Sequence, residues 1–148
     1  MQIPRFKVLR AGEGRQFRVF GSEMTYKVTA EDTDGRFSVA LETTAPHAGI
    51  PLHVHHNEDE AMYILEGEFQ IECGGQVVRA GAGTFVLLPK DVPNRYENIG
   101  ETPGTFLYVT SPAGFEKVVE ETSSEMSSGK GDMQKAIAAA RVRGIDFL

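Results

Sequence analysis

Positions 51–60 read Pro51-Leu52-His53-Val54-His55-His56-Asn57-Glu58-Asp59-Glu60. On a β-strand successive side chains alternate between faces, so His53 and His55 share one face and His56 points away. Asn57, Glu58 and Asp59 are turn formers, which lets the chain reverse and set Glu60, at the start of the next apolar run, opposite the histidine pair. Two neutral imidazoles and a carboxylate form a donor set suited to a first-row divalent ion. The lack of a nearby thiolate argues against a structural zinc site of the cysteine type. The surroundings therefore predict a three-ligand metal pocket of His53, His55 and Glu60.

Working outward, Gln16 to about Val109 is a series of short segments rich in Val, Ile, Phe, Tyr and Thr, separated by glycine, proline and acidic turns. Strands are predicted over 17–20, 24–29, 36–44, 53–56, 60–65, 68–73, 76–79, 84–88, 95–98 and 105–110. So many short strands limit their exposed edges by closing into a barrel or a double-sheet jelly roll. Within Arg36 to Thr44, the apolar Phe37, Val39 and Leu41 alternate with Ser38, Ala40 and Glu42, which gives a half-buried strand. Gly74-Gly75 lies between two apolar segments and tolerates the positive φ angles of a tight hairpin, and Glu66-Gly67 is expected to turn likewise. The same alternation puts Met62 and Ile64 on the face of Glu60, and Tyr96 and Asn98 on the face of Asn94. Met62 and Tyr96 are the candidate pocket-lining residues, with the Tyr96 hydroxyl placed to orient a ligand.

After Pro112 the character changes. Phe115 to Glu121 reads as one or two helical turns and Thr122 to Gly131 as a Ser/Gly-rich linker. A helix is expected over Met133 to Arg143, capped by Asp132 and ended by Gly144. The whole, residues 1–148, reads as one domain, with a barrel over about 15–112 and a helical tail over about 113–148.

The chain has 148 residues, 21 acidic and 15 basic, for a net charge of -6. That balance, with no basic patch interleaved with aromatics, speaks against nucleic acid as a partner. A single helix at the end of the tail offers no helix-turn-helix for a transcription regulator. No apolar run approaches the roughly 20 residues of a membrane-spanning helix. Cys73, the single cysteine, has no intrachain partner, and the early residues Arg5, Lys7, Arg10, Arg15 and Arg18 flank no signal-like apolar stretch, so a cytoplasmic location is expected. Cys73 is read as inert packing. His47 and His56 are read as exposed polar residues.

His53-x-His55, four intervening residues, Glu60, six more and Gly67 reproduce the first motif of the cupin superfamily, without its usual upstream glycine at the expected distance. The second motif is traceable over Gly83 to Asn98, with glycine, proline and the final asparagine at their spacing. Asp91 stands where the family has a turn glycine, and Asn94 where it has its last metal-binding histidine. Over roughly Thr43 to Val109 the chain thus resembles small single-barrel cupins of the quercetin 2,3-dioxygenase-like kind.

The resemblance implies an all-β, cupin-type double-stranded β-helix, or jelly-roll barrel, with a short C-terminal helix. It also implies a divalent transition metal (iron, manganese, nickel or zinc) held by His53, His55, Glu60 and Asn94. Glu60 would be both ligand and base in a mononuclear non-haem oxygenase acting on a small organic substrate. Cupins also host isomerases, epimerases and decarboxylases. The alternative is a non-catalytic small-molecule-binding cupin with a weak or lost metal site, supported by the Asn94 replacement. A homodimer is expected, because small barrels leave an edge strand and the N-terminal segment is apolar enough to pair with a second copy.

Overall fold

The computed structural model describes residues 5–127 and 133–148. Eleven strands and three helices follow in the order β1 (Arg15–Val19), β2 (Ser22–Val28), α1 (Ala30–Thr33), β3 (Ser38–Thr44), β4 (Gly49–His55), β5 (Asp59–Glu66), β6 (Glu68–Cys73), β7 (Gln76–Gly81), β8 (Phe85–Leu88), β9 (Asn94–Asn98), β10 (Gly104–Ser111), α2 (Phe115–Ser127), α3 (Met133–Val142) and β11 (Ile145–Phe147). The strands form two sheets, one ordered β1-β2-β3-β10-β5-β8 and the other β11-β4-β9-β6-β7. All pairings are antiparallel, and the two sheets face each other as a jelly roll.

The inner faces meet in one apolar core that includes Met24, Ile64, Phe69, Ile71, Leu88 and Phe106. Phe69 and Phe106 meet edge to face, with ring centroids 5.3 Å apart. At Gly74-Gly75 the turn is as expected, since Cys73 pairs with Gln76 across a hairpin whose two glycines both have positive φ; Gly67 has φ 90° but closes no hairpin, because β5 and β6, which it joins, lie in different sheets. Gly49 is needed for a different reason, since a methyl group there would collide with the Tyr96 carbonyl oxygen where β4 crosses β9.

The structure departs from the sequence reading in the tail and in β3. Residues 122–127 continue α2 instead of forming a linker, so the tail has two helices where one was expected. The N-cap expected at Asp132 lies outside the described residues. The last residues add strand β11, which pairs Ile145 with His55 and Phe147 with His53 and so covers the edge of β4. α2 is tied to the barrel by Glu116, whose carboxylate accepts the backbone N–H groups of Ala30 at 2.6 Å and Gly114 at 2.9 Å. In β3 the mixed face points inward: Ser38, Ala40, Glu42 and Thr44 are buried, while Val39 and Leu41 are half-buried. Hydroxyl pairing makes this tolerable, Ser38 to Thr110 at 2.6 Å and Thr44 to Ser22 at 3.0 Å.

Candidate metal centre

β4 and β5 bring the donors together from opposite sheets. β4 carries His53 and His55 on its inward face, each 2% exposed, and β5 opens the other sheet with Glu60, 4% exposed. One donor atom from each of the three lies within 4.8 Å of the others. Side-chain rotation alone can bring such a set onto one first-row ion. His56 points outward, as period two requires, and its ring bonds Asp91 at 2.8 Å and Asp146 at 3.2 Å.

Each imidazole is oriented by its other nitrogen. His53 Nδ1 donates to the Pro51 carbonyl at 2.9 Å, which leaves Nε2 as the free lone pair. His55 Nδ1 donates to the buried carboxylate of Glu58, and its Nε2 is buried with no hydrogen-bond partner, 3.4 Å from Glu60 Oε1. A buried ring nitrogen left unpaired and aimed at a carboxylate is what a metal ligand without its ion looks like, so the residues fit the group. Burial, reinforced by His55, pushes the His53 pKa down to about 3, so this imidazole is neutral and ready to ligate throughout the physiological range.

Glu60 is held on both sides. Tyr108 donates its hydroxyl to Oε2, and Asn94 donates its amide nitrogen to Oε1 at 3.3 Å. Burial raises the Glu60 pKa, and His55, Tyr108 and Asn94 oppose the shift. Asn94 sits directly across the strand pair from His53. It braces the carboxylate through its nitrogen, and a half-turn of the amide would present its oxygen to an ion instead.

The donors line a cavity of about 20 Å³, to which Met62, Tyr96 and Asn94 also contribute. That is room for about one water or one ion with a small ligand. Aromatic rings flank it: Phe115 of α2 meets His55 edge to face with centroids 5.1 Å apart, Phe147 of β11 lies 5.7 Å from His53, and Phe20 lies 5.7 Å from Phe147. An outer groove of about 470 Å³ over β4, β6 and β9 shares Phe20, Ile50 and Tyr96 with the cavity but holds none of the three donors. His47 lines that groove, exposed and paired with Glu101. Burial pushes the Cys73 thiol up, away from thiolate chemistry.

Three functional-looking side chains escaped the sequence reading. Glu58 was taken as a turn former, although it is 6% exposed and bonded to His55. Tyr108 and Glu42 lie on strands whose inward faces were read as ordinary core or as mixed. A carboxylate three residues after a metal-type histidine was the available signal for Glu58.

Residues 40–110 match the family described as "Cupin domain". The chain is 27% identical over 98 residues to quercetin 2,3-dioxygenase of Bacillus subtilis, an alignment spanning 64% of this chain and 29% of that protein. It is 26% identical over 85 residues to polyketide synthase CurC of Streptomyces cyaneus, spanning 57% and 54%. The chain thus spans about half or less of the length of these relatives. Among solved structures, a predicted oxalate decarboxylase from Thermotoga maritima superposes with a TM-score of 0.67 and 26% identity over 72% of this chain and 99% of that one. KdgF from Halomonas sp. superposes with a TM-score of 0.68 at 16% identity, over 76% and 99%, which speaks for the fold alone. With the jelly roll and the two-histidine, one-carboxylate pocket, the chain is a small member of the cupin superfamily.

Proposed function

We propose that this protein is a mononuclear metal-dependent cupin enzyme, an oxygenase resembling quercetin 2,3-dioxygenase, acting on a small organic substrate inside the barrel. The observation that carries the reading is the buried, unpartnered His55 Nε2 facing Glu60 within a cavity flanked by aromatic rings. His53, His55 and Glu60 would hold a divalent ion, which, when bound, supplies Lewis-acid chemistry and an open coordination position. The protein's own part is to fix the two imidazoles through Pro51 and Glu58, to hold Glu60 through Tyr108, and to exclude water with Phe20, Phe115 and Phe147. Two imidazoles and one carboxylate with open positions make the ligand composition of non-haem iron oxygenases, which favours that class over others the fold hosts.

The test is a titration of the metal-stripped protein with iron(II), manganese(II), nickel(II) and zinc(II), comparing wild type, His53→Ala, Asn94→Ala and Asn94→His. His53→Ala should abolish stoichiometric binding and Asn94→Ala should change it little. Asn94→His should tighten binding by adding an imidazole, and should lower turnover by occupying an open position. Equal affinity in wild type and His53→Ala would refute the metal site and leave a binding module.

A further inference from the structure

The pocket contains a second buried carboxylate that the three-donor centre leaves unused. Glu42 of β3 is 3% exposed and lines the same cavity as His53, His55 and Glu60. Its cross-strand neighbours are Met24 and Phe106, both apolar and buried. Its Oε1 accepts a hydrogen bond from the Tyr96 hydroxyl, and among the described residues no lysine, arginine or histidine forms an ion pair with it. A carboxyl group in such a row costs several kcal/mol of desolvation when ionised and contributes less to packing than an apolar side chain of equal size. Structure alone does not account for its presence there.

We propose that Glu42, oriented by Tyr96, is the hydrogen-bonding partner of an anionic oxygen ligand, a carboxylate or enolate, bound at the His53, His55 and Glu60 centre. The inference rests on the metal reading of that centre. Tyr96 donates to Oε1 and the Ser22 hydroxyl also hydrogen-bonds the carboxyl group, so the proton that Glu42 carries is what it would offer the ligand. The titratable groups that share the cavity with Glu42 or act on it are Tyr96 from β9, Tyr26 from β2, Tyr108 from β10, Glu60 from β5 and His53 and His55 from β4. No lysine or arginine is among them. Burial holds the three phenols well above their ordinary range and His53 neutral. Burial also pushes the Glu42 pKa up to about 7, against the pull of Tyr96 and Ser22 and with Glu60 adding to the rise. With its midpoint near neutrality, Glu42 holds its proton on the acid side of about pH 7 and loses it on the alkaline side. Once ionised, it and Glu60 place two negative charges beside an anion and repel it. A resident divalent ion draws the midpoint downward, so the window to examine extends below neutrality.

The experiment loads wild type, Glu42→Gln and Tyr96→Phe with cobalt(II) and titrates each with acetate from about pH 5.5 to about pH 8.5, reading the cobalt d–d absorption. Acetate stays ionised throughout, so changes in affinity belong to the protein. Wild-type affinity for acetate should fall across this range about tenfold more than that of Glu42→Gln, because glutamine donates without ionising. At the alkaline end Glu42→Gln should bind acetate more tightly than wild type. Tyr96→Phe should bind acetate several-fold more weakly at acid pH, and all three proteins should still take up cobalt, Glu42→Gln more weakly at the alkaline end because it lacks the carboxylate charge that the ion favours. Parallel pH profiles in wild type and Glu42→Gln, with cobalt bound in both, would overturn the role of Glu42 and leave the metal centre standing. Failure of wild type to take up cobalt would overturn the metal reading, and this inference with it.

Discussion

Position 58 shows how one side chain can ready a histidine to ligate. Glu58 accepts the Nδ1 proton of His55, which fixes the tautomer with its lone pair on Nε2, toward Glu60. Glu58→Gln should therefore lower divalent-metal affinity about 10- to 100-fold while leaving the circular dichroism spectrum unchanged, measured by competition with a chromophoric chelator. Asp91 tests a different property. It has φ 65°, the left-handed backbone that glycine adopts freely, at the position where the family has glycine. Its backbone N–H bonds the His55 carbonyl at 2.7 Å, and its carboxylate meets His56. Asp91→Ala should cost about 1 kcal/mol in denaturant unfolding, whereas Asp91→Gly should be close to neutral, since it trades an exposed contact for an unstrained backbone. The convergence of His53, His55 and Glu60 was legible because period two fixes the direction of side chains from spacing alone. Glu42, Tyr108 and Glu58 were not, because their roles depend on which strand lies across the cavity.

Among the elements, the alternating strands and the Gly74-Gly75 hairpin read directly from the sequence, because each rule involves residues adjacent in the chain; Gly67 did not, since whether a turn closes a hairpin or crosses between sheets depends on distant partners. β3 was legible as a strand but not in orientation: its Phe37, Val39 and Leu41 face looked like the core, yet the small and polar face is buried, with Ala40 0% exposed. Partners on β2 and β10, which supply Ser22 and Thr110, decide that orientation, and they lie far away in sequence. β11 was invisible because three residues show hardly more than one period of alternation. It nevertheless seals the site: Ile145 is buried opposite His55, and Phe147 lies against His53 and Phe20. Ile145→Ala should destabilise the fold by about 2–5 kcal/mol, read as a lower thermal midpoint. Phe147→Ala, half-buried, should cost less but should speed removal of bound metal by a chelator several-fold, because it thins the aromatic cover.

At the scale of the whole molecule, one chain leaves apolar surfaces without a partner. The outer face at the β8 edge exposes Tyr63, Leu65, Phe85 and Leu87, and Tyr63 and Phe85 stand directly opposite each other across β5 and β8. Among the described residues β8 has β5 on one side and no strand on the other. Ahead of β1, Phe6 is 95% and Val8 58% exposed, on a segment fastened by a bridge from Lys7 to Asp32 at 2.8 Å. An open strand edge bordered by large apolar side chains invites pairing with an identical edge, and a two-fold arrangement satisfies both copies at once without leaving a surface that could extend into a fibre. We propose that the protein is a homodimer joined through the β8 edge, with the Phe6 and Val8 segment of each copy covering apolar surface on the other. Light scattering at micromolar concentration should return twice the 16.2 kDa of one chain. Leu87→Lys, which sets a charge at the centre of the patch without touching the core, should return the monomer mass with the metal centre intact. A Phe6→Ser and Val8→Ser double variant should weaken the dimer several-fold without abolishing it, because the β8 edge remains. A monomer mass for the wild-type chain would refute the pairing. A dimer unaffected by Leu87→Lys would place the interface elsewhere on the barrel.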